Sequence, residues 1–216
     1  MSVSPIHFIE FSALIVCLIF WNILKGSKLR WLPFFLVFVI IVDVTGYYIK
    51  SAGHSNVFFY NFTIPVEYSF YFLLFYQHGG ILLKKFTKIA FFIFNALAFL
   101  FFIIAPFYKL HNYVLVAGQL FAIIAVCIYL YEQFTGNLED SLTENYFFWI
   151  ASGLFIFNLG DMVYFVMYPM IKEQQLDSFG KLFRLVNTNL NILLYILYIV
   201  SIFVYKKNYK KNEHKF

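Results

Sequence analysis

The sequence contains few charged residues for its length. Only 12% of its 216 residues are Asp, Glu, Lys or Arg, whereas 62% are hydrophobic and 24% are aromatic. A water-soluble domain carries about 25% charged residues, because its surface must face water. This shortage of polar surface excludes a soluble globular domain and indicates that much of the exterior contacts lipid.

Cysteine is also scarce. With only two cysteines, Cys17 and Cys127, the sequence excludes a disulfide framework and a metal site built from cysteine. Both cysteines lie within apolar segments. No basic residue precedes the first apolar run, and this run of about 20 residues is longer than the apolar region of a cleaved signal peptide. We therefore expect the first run to persist as a helix of the protein.

Long apolar segments fill most of the chain. A helix needs about 20 mostly apolar residues to cross the hydrocarbon core of a bilayer. Helices are the expected spanning elements because open sheet edges leave backbone groups unpaired in lipid. We predict an all-α, multi-pass membrane protein consisting of one bundle of seven transmembrane helices, at residues 5–24, 31–49, 57–77, 86–105, 111–132, 146–168 and 182–205.

The basic residues predict the orientation of this bundle. Cytoplasmic flanks of membrane helices carry an excess of lysine and arginine. With the N-terminus outside, the cytoplasmic side receives more than twice as many basic residues as the outer side. These include a basic cytoplasmic tail at residues 206–216, which is typical of attraction to anionic membrane lipids and carries no nucleic-acid-binding motif. We predict an outer N-terminus, a cytoplasmic C-terminus, location in a cell's inner membrane and no nucleic-acid partner.

Several polar residues fall inside the predicted spans, where each is a functional hypothesis because its burial in lipid is costly. With the predicted orientation they lie at the midplane or in the outer half, which predicts a polar pocket open to the outside for a small molecule or lipid. Carboxylates this close would repel one another unless they are protonated or joined by a metal, an amine or another cation. The candidate ligand-binding residues are Glu10, Asp43, Glu67, Asn158, Asp161, Arg184, Asn187 and Asn191.

Structural roles are open for some of these candidates. The asparagines are better explained as hydrogen-bonding contacts between helices, and Asp43 and Arg184 lie near the membrane interface. Histidine gives little support to a metal centre, because only His7 lies near a span while the other histidines lie in loops or the tail. We predict no metal site and no cofactor.

Two resemblances follow from short motifs. The first rests on Asp43-Val-Thr-Gly-Tyr47-Tyr48, Tyr60-Asn61, Glu67, the segment 148–154 and Asn191-Ile-Leu-Leu-Tyr195. In these motifs the chain resembles a family of small seven-helix bacterial membrane proteins of uncharacterised function. That family is similar in layout to the seven-helix sensor domains of some histidine kinases. The resemblance implies a sensory module that acts through a separate cytoplasmic partner, since we expect no output domain in this chain. Asp43 and Pro65-Val66-Glu67 also resemble the acidic motif of membrane-embedded lycopene cyclases, although Tyr68 replaces their second glutamate.

Three functions are consistent with these residues. The leading prediction is a ligand-binding or sensory module with an outward-facing pocket, whose partner contacts the basic tail and the acidic loop 133–145. The second is a membrane enzyme, lycopene-cyclase-like or a hydrolase, that acts on a lipid or isoprenoid with Glu67 or Asp161 as general acid or base. The third is a proton- or cation-coupled transporter, which is disfavoured because no inverted repeat is visible. The residues leave enzymatic activity open.

Overall fold

The computed structural model describes residues 5–136, 141–177 and 180–213, and nearly all of these residues are helical. The prediction of an all-α protein is confirmed. A single turn of 3-10 helix at Leu142–Glu144 precedes the seventh of the α-helices in these ranges. The α-helices are α1 (Pro5–Ile19), α2 (Trp21–Leu24), α3 (Leu32–Ser51), α4 (Val57–His78), α5 (Ile81–Ile104), α6 (Asn112–Thr135), α7 (Tyr146–Glu173) and α8 (Lys181–Glu213).

Five of these helices are long and apolar enough to cross a membrane: α3, α5, α6, α7 and α8. Helix α4 is 22 residues long but less apolar, because it carries several polar side chains. Helix α1 is only 15 residues long. The five helices identify a multi-pass membrane protein.

The first predicted span, 5–24, is divided in the structure. Helix α1 ends at Ile19, and the chain tightens at Phe20, whose backbone angles are φ −98° and ψ 15°. The amide of Ile23 bonds to the carbonyl of Phe20 over three residues, which is the tighter spacing of a 3-10 turn. The short helix α2 then continues to Leu24.

Helices α5, α7 and α8 each extend five or more residues beyond a predicted end, and α7 continues to Glu173 rather than ending at residue 168. Side chains at one end of the bundle hold the extensions of α5 and α8. Helix α5 begins at Ile81 rather than residue 86, since the Glu132 carboxylate accepts hydrogen bonds from the amides of Gly80 at 2.7 Å and Leu83 at 3.1 Å. Helix α8 continues through Glu213 rather than ending at residue 205. There Asn208 donates a 2.7 Å hydrogen bond to the carbonyl of Glu144. The basic segment is therefore helical as far as residue 213.

The helices pack into a closed ring. Each long helix contacts the next in the order α1, α3, α4, α5, α6, α7, α8 and back to α1, and α4 also packs across the ring against α6. Short connections make sequential helices antiparallel. The loops before α4, α6 and α8 therefore lie at the end of the bundle where α1 begins, which we call the amino-terminal end. At that end Asn61 of α4 bonds to the carbonyl of Lys109 and to the amide of His111.

The outer surface of the ring is apolar. Large side chains such as Phe92, Phe99 and Ile103 are about two-thirds exposed, at 62%, 68% and 67% respectively. An apolar surface of this extent on a water-soluble monomer would be an association or aggregation site. On a membrane protein it is the surface that faces the acyl chains, so lipid is the expected partner of the exterior.

The start of α8 is capped by an acidic side chain outside the long helices. The carboxylate of Asp177 accepts hydrogen bonds from the amides of Leu182 and Phe183, both at 2.9 Å. The bond from the Phe183 amide is the main reason that the pKa of Asp177 lies below its usual value. This cap fixes where the chain enters α8.

The cap made by Glu132 should contribute measurably to stability. Replacing Glu132 with alanine removes two acceptors from the first turn of α5, and we expect a loss of about 1 kcal/mol. The measurement is the thermal unfolding midpoint of purified protein in a fixed detergent. Glu173→Ala, which removes an exposed carboxylate at the end of α7, is the control. Equal midpoints for Glu132→Ala and the control would contradict this role.

Candidate functional site

Polar side chains gather inside the helix ring. Glu10, Asn158 and Asp161, three of the eight predicted site residues, are buried, and Gln119 is buried beside them. Asp43, Glu67, Asn187 and Asn191 are partly buried, whereas Arg184 is exposed. Burying a carboxyl or amide without a partner is unfavourable, so the contacts of each group indicate what the interior can bind.

A first group, here named the central cluster, consists of Tyr68 on α4, Gln119 on α6, and Asn158 and Asp161 on α7. The Gln119 amide donates to Oδ2 of Asp161 at 2.7 Å. The Tyr68 hydroxyl donates to Oδ1 of Asn158 at 3.1 Å. Asn158 and Asp161 are three residues apart, which places them on one face of α7. The cluster therefore joins three helices through side-chain hydrogen bonds.

Close packing of α4 against α6 makes this cluster possible. A β-carbon at Gly118 would lie 2.8 Å from ring atoms of Tyr68 and 3.0 Å from the ring of Phe94. Only a residue without a side chain at position 118 leaves room for the Tyr68 ring against the backbone of α6. Gly118 thus positions the hydroxyl that reaches Asn158.

Two acceptors of the central cluster have no donor. Oδ1 of Asp161 and Oε1 of Gln119 are buried and receive no hydrogen bond from the described residues. A carboxylate oxygen and an amide oxygen can only accept, so these atoms cannot satisfy one another. A proton, a water or a ligand carrying N–H groups or positive charge would complete this arrangement.

A second group, here named the terminal cluster, lies nearer the amino-terminal end and consists of His7 and Glu10 on α1 and Asp43 on α3. One possible ligand atom from each residue lies within 4.8 Å of those of the others. Nδ1 of His7 is 3.4 Å from Oε2 of Glu10, while Oε1 of Glu10 is buried and has no hydrogen-bond partner in residues 5–136, 141–177 and 180–213. Tyr60 and Tyr195 also lie within electrostatic range of Glu10 and Asp43.

Glu67 lies between the two clusters. Its Oε1 accepts a hydrogen bond from the hydroxyl of Tyr71, one turn further along α4. Glu67 is within electrostatic range of Asp43 in one direction and of Asp161 in the other. Tyr195 and Tyr198 of α8 are buried beside the same groups. A row of polar groups therefore runs through the interior from the terminal to the central cluster.

Three of the predicted residues do not join these clusters. Asn191 donates to the carbonyl and to Oδ1 of Asn187, both at 2.9 Å, so this pair is bonded along α8 itself. Arg184, which lies further towards the start of α8, is exposed. Further along α8, Tyr195 and Tyr198 are buried in the interior.

Sequence reasoning missed two features of the site. Tyr68 was interpreted only as the replacement of a second glutamate, although it carries the contact to Asn158. His7 was considered only as weak support for a metal centre, although it lies beside Glu10 and Asp43. The acidic residues Glu139 and Asp140, predicted to contact a partner, lie outside the described residues.

Replacing Gly118 with alanine should disturb the central cluster. The added methyl group must displace the Tyr68 or Phe94 ring, and overpacking of this kind costs about 1–3 kcal/mol. We expect a lower thermal unfolding midpoint in detergent. Gly26→Ala is the matched control, because a β-carbon at Gly26 has no neighbour within 4 Å. Identical midpoints for both variants would contradict the close approach of α4 and α6.

No protein-family model, no curated protein and no solved structure matches this chain. The function must therefore be inferred from the chemistry of the buried polar residues.

Proposed function

We propose that this chain is a ligand-binding or sensory membrane module. Its central cluster binds a small cationic group, such as a protonated amine, and its state is transmitted to a separate partner protein. The observation that carries the proposal is the pair of buried acceptors, Asp161 Oδ1 and Gln119 Oε1, that have no donor among the described residues.

The chemistry of these two atoms favours a cation. An ammonium group supplies several N–H donors and a positive charge, so it can satisfy both acceptors and offset the carboxylate at once. Hydrogen bonds to charged groups contribute about 1.5–3 kcal/mol each. A single ordered water would satisfy the same atoms without neutralising Asp161. The two occupants are therefore distinguishable, because only binding of a cation should weaken when the charge of Asp161 is removed.

Seven membrane spans with an outer N-terminus form part of this proposal. Helix α4 carries more polar residues than a typical span, but Asn61, Tyr68 and Tyr71 are buried in the ring. Phe62 and Val66 are exposed on its other face, which can therefore meet lipid. Helices α1 and α2 together cover the first span. The lysines near residues 25, 84 and 206 lie at the end opposite the amino-terminal end, as expected for a cytoplasmic face. For a bacterial cell, this orientation corresponds to the inner membrane.

Helix α8 supplies a route from the interior to a partner. Its 33 residues extend for about 50 Å, and it packs against both α1 and α7. Tyr195 and Tyr198 lie in the interior, and the same helix continues into the basic segment at Lys206–Lys211. A change in the interior that tilts or shifts α8 would therefore move a cationic surface at the cytoplasmic face.

The enzyme and transporter alternatives receive less support. A groove of about 540 Å³ lies between α4 and α5, but the residues lining it include Ser69, Thr87 and Lys88 and none of the candidate carboxyls. An acyl chain or isoprenoid held there would lie away from Glu67 and Asp161. The polar row through Glu67 favours movement of a proton within the interior more than passage of a solute.

The proposal is tested by native mass spectrometry of gently solubilised protein, combined with thermal shifts in lipid nanodiscs for primary amines from methylamine to spermidine. We expect a bound or stabilising amine for the wild-type protein. Asp161→Asn, which keeps the shape and removes the charge, should weaken its binding at least about tenfold, because one charge-assisted hydrogen bond is lost.

Glu173→Gln is the matched control, because it removes a carboxylate from the same helix outside the central cluster. It should leave amine binding unchanged. If the wild-type protein carries no ligand and no amine shifts its unfolding, the central cluster is a hydrated structural contact and the proposal is wrong.

A further inference from the structure

The terminal cluster has the composition of a metal site. His7 and Glu10 are three residues apart on α1, so their side chains project from one face of that helix. Asp43 of α3 faces them, and the three ligand atoms lie within 4.8 Å of one another. An imidazole nitrogen with two carboxylate oxygens is a donor set that zinc and similar divalent transition ions bind in proteins.

A second observation points to a missing ligand in this cluster. Glu10 is 1% exposed, and its Oε1 has no hydrogen-bond partner within the part of the chain that the structure describes. Asp43 interacts electrostatically with both Glu10 and His7. Two carboxyl groups in contact at low dielectric repel each other unless a proton or a cation lies between them. A buried carboxylate oxygen without a donor, beside a second carboxylate and an imidazole, is suited to binding a metal ion.

Tyrosine hydroxyls surround the cluster on the sides away from α1. Tyr60 lies within electrostatic range of Asp43 and Glu10, and Tyr195 lies within range of the same two groups. The Tyr60 hydroxyl is held against α3 because Gly46 has no side chain, and a β-carbon at Gly46 would lie only 2.5 Å from this oxygen. Metal-bound carboxylates in proteins are commonly oriented by hydrogen bonds, and a tyrosine hydroxyl is a suitable donor for such a bond.

We propose that His7, Glu10 and Asp43 bind one divalent transition ion of the zinc class, with water in the remaining position. Donor atoms around a tetrahedral zinc lie about 3.3 Å apart, given bonds of about 2.0–2.1 Å. Binding therefore draws Asp43 towards the two side chains of α1 and links α1 to α3 at the amino-terminal end. This site is separate from the central cluster and does not depend on amine binding there.

Zinc binding to tag-free protein in lipid nanodiscs tests this assignment. Isothermal titration with Zn²⁺, checked by metal analysis after dialysis, should give one ion per wild-type chain. Zinc should also raise the thermal unfolding midpoint of the wild-type protein. His7→Gln and Asp43→Asn should each weaken zinc binding at least tenfold and abolish the thermal shift. Unchanged zinc affinity in both variants would overturn the site.

Two controls distinguish this site from other binding. His54→Gln removes an exposed loop histidine and should retain full zinc affinity. Asp161→Asn should also retain it, so failure of the amine proposal leaves the metal proposal testable by itself. Conversely, His7→Gln should leave any amine binding at the central cluster intact.

A spectroscopic measurement on the wild-type protein covers the case in which the variants fail to fold. X-ray absorption at the zinc edge should show one imidazole and otherwise oxygen ligands at about 2.0–2.1 Å. Two or more imidazoles would place the ion on loop histidines instead, and the absence of any imidazole would exclude His7. Either result contradicts the assignment.

Discussion

The structure depends on one constraint, which is that the exterior has too little polar surface to meet water. A chain with 12% charged residues cannot cover itself with polar groups, so its polar side chains are buried within the helix ring and its aromatic and aliphatic side chains face outward. Closure of the ring by contact between α1 and α8 encloses these groups on all sides. The contacts that hold α4, α6 and α7 together are consequently hydrogen bonds as well as apolar packing.

This arrangement gathers carboxyl groups in the interior. Carboxylates from α1, α3, α4 and α7 point inward, while the exposed Arg184 lies outside the clusters. The Tyr71 hydroxyl and the Gln119 amide each donate to a carboxylate oxygen, and Glu10 Oε1 and Asp161 Oδ1 receive no hydrogen bond from any described residue. Carboxyl groups gathered at low dielectric favour protons and cations over neutral or anionic ligands. The two proposed sites each contain such carboxyl groups, at opposite ends of one polar row.

Much of the architecture was predictable from the sequence, because apolar runs of membrane-spanning length leave little choice of structure. The helix boundaries that differ are those set by tertiary contacts. Glu132 lies about 50 residues from the turn of α5 that it caps, and no local pattern indicates that contact. The basic segment after residue 205 was predicted as a tail, yet it stays helical where Asn208 bonds to the carbonyl of Glu144. The seven-span count and the orientation remain predictions from apolar length and charge.

The candidate site was predicted in part. Buried carboxyls inside spans are rare enough for their residue type to identify Glu10, Glu67 and Asp161. Helical spacing gives the face of each helix but not its rotation relative to its neighbours, so it did not indicate that Arg184 would be exposed. For the same reason the position of Asp43 opposite His7 was not foreseen. Gly118 and Tyr68 form a contact between two helices, which single-helix periodicity does not reveal.

The central claim is that the buried acceptors of the interior are completed by a cationic group. The most direct measurement is an electron cryomicroscopy map of the protein in a lipid nanodisc, bound to a rigid antibody fragment and resolved well enough to show ordered water. The account predicts density larger than a water molecule in contact with both Asp161 Oδ1 and Gln119 Oε1. Donation to these two atoms by protein side chains, or density that fits water alone, would contradict it.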